Sequence, residues 1–198
     1  MLIYLHGLNS SPRSHKAGIL RERMYPVPVL APSYPAHRPD AAVQRLCSFF
    51  GSLRTEEDPF VVGSSMGGFY GQYLARRFSF AHLFLINPAL QPWNLFSEYV
   101  HKTMTTADGD VYTVTPGLIA STRRYEITAP CEGVQTTLFL DKDDEIIDYR
   151  IAVALYRPCG RLRVFEGGDH AFQHLDEAIA EIREQVVSAK GGDTDGAR

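Results

Sequence analysis

Short apolar runs alternate along this chain with longer stretches in which apolar residues recur every three or four positions. Leu2 to Leu5, Val27 to Leu30, Phe60 to Val62, Leu83 to Ile86, Thr137 to Leu140 and Leu162 to Phe165 read as six strands. Helical spacing predicts helices over Ser14 to Arg23 and over Gly67 to Phe78. Another runs to Leu53 from Asp40, a capping residue, with Val43, Leu46, Cys47 and Phe50 on one face. Two more are expected over Tyr149 to Tyr156 and Leu175 to Val187, the last with Ile179, Ile182 and Val186 on one stripe. Repeated strand–helix units imply an α/β fold with a parallel sheet covered by helices on both faces. The alternation breaks down between Gln91 and Val134, where Trp93, Tyr99, Tyr112 and Tyr125 accompany a loose run from Thr105 to Asp110. This segment reads as a lid inserted over the C-terminal ends of the strands, or as a packed helix pair with no gating role. A single domain is expected over residues 1–190, with a frayed tail at 191–198.

Composition narrows the function classes. The chain has 198 residues, a net charge of −3 and 44% hydrophobic content, which suits one α/β domain and gives no reason to expect nucleic-acid binding. No apolar run is long enough to span a membrane, and no signal peptide is expected. Cys47, Cys131 and Cys159 are isolated and odd in number, which favours reduced thiols and a cytoplasmic location. His170 and His174 stand four apart, but Ala171 replaces the glutamate of a zinc helix motif and there is no C-x-x-C, so no metal site is expected.

The chemistry concentrates in Gly63-Ser64-Ser65-Met66-Gly67, which an apolar run enters and a helical segment leaves. This is the pattern of a nucleophile elbow, the sharp strand-to-helix turn that presents a serine hydroxyl. Small residues two before and two after the serine let strand and helix cross closely, and Gly63 and Gly67 flank Ser65 there. A serine hydroxyl is a poor nucleophile near neutral pH, so it needs a base and an oxyanion site. His170 follows the strand ending at Phe165 and a Gly167-Gly168 pair, and it is the best general base; His174 is the alternative. The acid comes from Asp141, Asp143, Asp144 or Glu145 on the loop after Leu140, with Asp144 favoured for its place just before the apolar pair Ile146-Ile147 and Asp143 next. The N–H groups of Met66 and Leu8 are the expected oxyanion donors, Gly7 permitting the unusual backbone angle that presents the Leu8 N–H. Asn9 and Ser10 stand where they can touch substrate or satisfy the loop's own backbone groups. His6 is expected to pack beneath the loop, and His15, His37, His82 and His101 to be solvated or structural.

With Y-L-H-G-L-N-S-S-P at 4–12, V-G-S-S-M-G-G at 62–68, D-D-E-I-I-D-Y-R at 143–150 and E-G-G-D-H-A-F at 166–172, the chain resembles the YqiA-type esterases, small bacterial α/β-hydrolases. The resemblance runs from residue 1 to about residue 190. It implies a compact α/β-hydrolase fold with sheet order 2-1-3-4-5-6. It also implies Ser65 as nucleophile, Asp144 as acid, His170 as base, and carboxylesterase activity on acyl esters or thioesters in the cytoplasm; such a serine mechanism needs no metal or organic cofactor. Parts of 100–130 depart from the family pattern. Two other readings share these residues: a ligand-binding or signalling protein on a hydrolase fold, and a small amidase or peptidase.

Overall fold

Most strands of this sheet are apolar toward both of its faces, which dictates the architecture. In the computed structural model, which describes residues 1–130 and 132–191, every residue of β1 (Leu2–Leu5), β3 (Phe60–Ser64), β4 (His82–Ile86) and β7 (Thr136–Asp141) is buried. Strands of this kind need cover above and below. They form one six-stranded sheet in the order β2-β1-β3-β4-β7-β8, all pairs parallel, with β2 at Val29–Leu30 and β8 at Arg161–Phe165. With the antiparallel hairpin β5–β6 set apart, this is the strand order that the family resemblance implies.

Alternation along each strand sorts the core into two layers. Ile3, Leu5, Val61, Leu83, Leu85, Leu138 and Leu140 face one side with α2 (Pro39–Ser52), α3 (Met66–Leu74) and α6 (Tyr149–Tyr156). Leu2, Tyr4, Phe60, Val62, Phe84, Ile86 and Phe139 face the other with α1 (His15–Arg23) and α7 (Leu175–Gly191). The sheet's two outer strands are treated differently. β2 is two residues long, and β8 is largely exposed, with Arg161 and Arg163 both reaching Glu181 of α7.

Several expectations change. Asp40 does not cap α2: Pro39 takes the first helical position, for which its fixed φ and missing N–H suit it, and Asp40 in the first turn accepts from Tyr125 Oη at 2.6 Å. Residues 91–134 contain α4 (Pro92–Ser97), the hairpin β5 (Thr103–Thr105) and β6 (Val111–Thr113), and α5 (Pro116–Arg123). Trp93, Phe96 and Tyr112 from this insertion join the core layer on the α2/α3 side. Cys47 is free, but Cys159 is disulfide-bonded, against the expectation of reduced thiols throughout. Separation along the chain is a poor guide to distance in a sheet, and Cys131 lies outside the described residues. So does residues 192–198 of the expected tail; Gly191 still belongs to α7. Among the described residues no helix is long and apolar enough to cross a membrane.

His82 opens β4 and is buried, its Nε2 2.9 Å from Thr137 Oγ1 and its ring 4.4 Å from that of Phe84. Burial, aided by Arg161, pulls it from 6.5 down to about 4. The unfolded chain therefore binds a proton that the native state refuses, and stability falls as pH drops from 6.5 toward about 4. We expect a loss of about 1–3 kcal/mol from this residue across that window, read by urea unfolding at several pH values. His82→Gln, which keeps a donor for Thr137 and does not titrate, should flatten the dependence.

Candidate active site

The site begins with backbone strain. Ser65 lies between β3 and α3 at φ 54° and ψ −121°, a conformation that non-glycine residues rarely adopt. The crossing of β3 and α3 has no spare space. A Cβ on Gly67 would stand 2.0 Å from the Leu5 carbonyl oxygen, and one on Gly63 would stand 2.6 Å from that of Gly67. The small residues expected around the serine are thus required by contact.

Three loops at the C-terminal edge of the sheet converge on Ser65. Its Oγ is 3.1 Å from His170 Nε2, and His170 Nδ1 is 3.0 and 2.9 Å from the two carboxylate oxygens of Asp144. The Asp144 side chain is 1% exposed and that of His170 22%. Asp144 Oδ1 also accepts from the N–H groups of Ile146 and Ile147 at 2.9 and 2.8 Å, a turn that fixes the carboxylate beneath the imidazole. Asp144, rather than Asp143, meets the histidine; the Asp143 backbone N–H instead holds Gly167 O at 3.1 Å. His174 does not reach the serine. Its Nδ1 lies 2.6 Å from Asp141 Oδ1.

The loop after β1 passes directly over the serine. A Cβ on Gly7 would come 3.1 Å from Ser65 Cβ and 3.6 Å from Oγ. Met66 N–H is the first of α3, so it has no acceptor within the helix. His6 is buried with its ring stacked 4.2 Å from that of Tyr34, and burial lowers its pKa, so it packs beneath the loop as expected. Asn9 takes φ 55° and turns toward the insertion: its Oδ1 accepts from Tyr112 Oη and its carbonyl from Ala107 N, each at 2.9 Å. It is not among the residues lining the cleft on Ser65; Leu8 and Ser10 are.

That cleft has a volume of about 630 Å³ and runs between the start of α1 (Ser14, His15, Lys16, Ile19) and the start of α7 (Leu175, Asp176). None of the described residues of 91–134 lines it. Lys16 was not singled out from the sequence. Its Nζ donates to Ala171 O at 2.6 Å, and burial draws its pKa down to about 8 against the pull of Asp141, Asp169 and Asp144. Asn87 was missed too. It follows β4, where a polar residue at the C-terminal end of a strand was the available signal, and its side chain bridges Asp141 N and Asp169 O, each at 2.9 Å. Among the described residues no three His, Cys, Asp or Glu side chains are grouped to hold a metal ion.

Residues 1–186 match the uncharacterised protein family UPF0227. The chain belongs to that family. It is the YqiA-type family whose motifs the sequence carries, and the match spans every element from β1 through most of α7. Among solved structures, mouse alpha/beta hydrolase domain-containing protein 10 aligns over 95% of this chain and 90% of its own, with a TM-score of 0.75 and 14% identity. Est1E from Butyrivibrio proteoclasticus aligns over 94% and 86%, at 0.73 and 15% identity. The monoacylglycerol lipase of Paleococcus ferrophilus aligns over 94% and 93%, at 0.71 and 18% identity. This UPF0227 member therefore has an α/β-hydrolase fold.

The crossing at the elbow yields a stability prediction. Gly67→Ala should destabilise the protein by about 2–4 kcal/mol, because the Leu5 backbone cannot retreat from the added methyl without disturbing β1. Gly51→Ala, in α2 with nothing within 4 Å of the added Cβ, should be neutral or stabilise by up to about 1 kcal/mol. Urea unfolding of the two variants beside the parent checks the contrast.

Proposed function

We propose that this protein is a serine carboxylic ester hydrolase that works through an acyl-enzyme, with acyl esters or thioesters as substrates. The observation that carries the reading is the unbroken hydrogen-bonded path Ser65 Oγ–His170 Nε2, His170 Nδ1–Asp144, built on a strained serine at the head of a helix. Ser65 attacks the acyl carbonyl while His170 Nε2 takes its proton. For this His170 must carry its own proton on Nδ1, the tautomer that the Asp144 carboxylate favours by accepting there. The tetrahedral oxyanion faces the N–H groups of Met66 and Leu8, and the positive end of α3 adds to their effect. His170 then returns the proton to the departing alkoxide or thiolate. In the second half a water gives its proton to His170 and attacks the acyl carbonyl, freeing the acid and restoring Ser65. No cofactor is called for.

The insertion enters this reading through the oxyanion loop. Tyr112 on β6 and Ala107 hold Asn9, one residue beyond Leu8, and the Tyr112 ring is stacked 4.5 Å from that of His37. Its role is thus to brace the donor loop rather than to wall the cleft. Tyr112→Phe keeps the stack and loses the hydrogen bond; we expect kcat to fall about threefold to tenfold with little change in KM.

Ser65→Ala should leave the circular dichroism spectrum unchanged and abolish turnover of short p-nitrophenyl esters. A fluorophosphonate should label the parent stoichiometrically at Ser65. Asp144→Asn should lower kcat by about 10³–10⁴-fold. A folded parent that neither labels nor turns over would favour a binding role instead, and comparison of an ester with the matching anilide separates esterase from amidase.

A further inference from the structure

Beside the Ser65–His170–Asp144 chain the fold builds a second aspartate–histidine pair that does not touch the serine. Asp141 is the last residue of β7, three before Asp144, and it is 0% exposed. A carboxyl group so placed is costly unless its oxygens are fully engaged. Oδ1 lies 2.6 Å from His174 Nδ1, and Oδ2 accepts from Gln173 N at 2.8 Å and Asp169 N at 3.3 Å. All three donors come from the segment carrying His170, on both sides of it. Gly168 is wrapped against the same carboxylate at φ 82°, where a Cβ would stand 2.0 Å from Oδ2. The His174 ring stacks 4.5 Å from Phe165, the last residue of β8, at an interplanar angle of 9°, so the loop is closed at its base.

We infer that Asp141 and His174 are positioning residues: their pair pins the 166–174 loop so that His170 Nε2 faces Ser65. The inference rests on the ester-hydrolase reading of Ser65 and His170. The neighbouring contacts agree with it. Asn87 spans from Asp141 N to Asp169 O, Glu145 accepts from His170 N at 3.0 Å, and Lys16 donates to Ala171 O. Of these anchors, Asp141 alone holds the loop at three residues. A histidine ring hung on a loop with two positive-φ glycines, Gly167 and Gly168, has no intrinsic reason to stay within hydrogen-bonding reach of one hydroxyl. A displacement of about 1 Å at a reacting group can cost on the order of 10²-fold in rate.

The test separates the hydrogen bond from the packing. His174→Asn places an amide N–H near the position of Nδ1 and can still donate to Asp141; His174→Leu fills the space and cannot. Each is compared with the parent for p-nitrophenyl acetate kinetics, the rate of fluorophosphonate labelling at Ser65, and thermal unfolding. We expect His174→Leu to lower both kcat and the labelling rate about tenfold to hundredfold with KM within about twofold, and His174→Asn to recover to within about fivefold of the parent. Asp141→Asn, provided it folds, should fall at least as far as His174→Leu. Activity within about twofold of the parent in His174→Leu would overturn the inference while leaving the ester-hydrolase reading intact. Equal losses in the Leu and Asn variants, in step with a lower melting temperature, would reduce His174 to packing and overturn it too. A folded parent that is neither labelled nor active would instead remove the hydrolase reading, and the inference with it.

Discussion

Ser65 is held in its unfavourable backbone conformation by the surrounding chain, and the geometry of the cleft follows from how that is done. Its N–H donates to Ile86 O at 3.0 Å, while its carbonyl accepts from Gly68 N at 2.9 Å and Ala89 N at 3.1 Å. The serine is therefore fastened to the end of β4 and to the loop beyond it, as well as to its own helix. Strain of about 1–3 kcal/mol persists at such a residue only when its neighbours over-determine it. Here the neighbours are the close glycine contacts of the β3–α3 crossing and the buried ladder on either side.

The same strand end organises the other loops. Asn87, next after β4, receives Asp141 N from β7 and gives its amide to Asp169 O beyond β8. Adjacent parallel strands end at the same edge, so each loop begins beside the last, and one polar residue at the edge can reach two of them. Of the carboxylates that gather there, Asp141 and Asp144 are each engaged by several donors, and Lys16 stands near them as a partly buried cation. The segment that carries His170 is thus tied by side-chain and backbone contacts to the ends of three strands.

Much of this could be read from the chain and some could not. The apolar runs fixed the sheet strands closely because strands buried on both faces admit few polar residues, and the elbow was legible because only glycine fits beside the Leu5 carbonyl. Apart from the family resemblance, only position along a loop separates Asp144 from Asp143, since a string of carboxylates does not reveal which one turns inward; in the structure the turn at Ile146 and Ile147 holds Asp144 under His170. The hairpin at 103–113 is not legible in the sequence although Asp108-Gly109 is a turn signal, because Thr103 and Thr105 flank a single apolar residue and give too short an alternation. In the sequence Asn9 stands as a candidate substrate contact because its partner, Tyr112, lies 103 residues away. Asp141 looked like one more loop acid, and nothing local shows that a strand's last residue will be sealed from water by a loop arriving 28 residues later.

The two outer strands carry a consequence for how copies of this chain can meet. An open parallel sheet displays unpaired N–H and C=O groups along each margin, and a long flat margin invites a foreign strand to add to it. Here one margin is the two residues Val29–Leu30, too short to template a ladder. The other bears Arg161 and Arg163, leaning onto Glu181 and surrounding the run with charge. Brevity on one margin and charge on the other both work against a second copy's strand adding to this sheet.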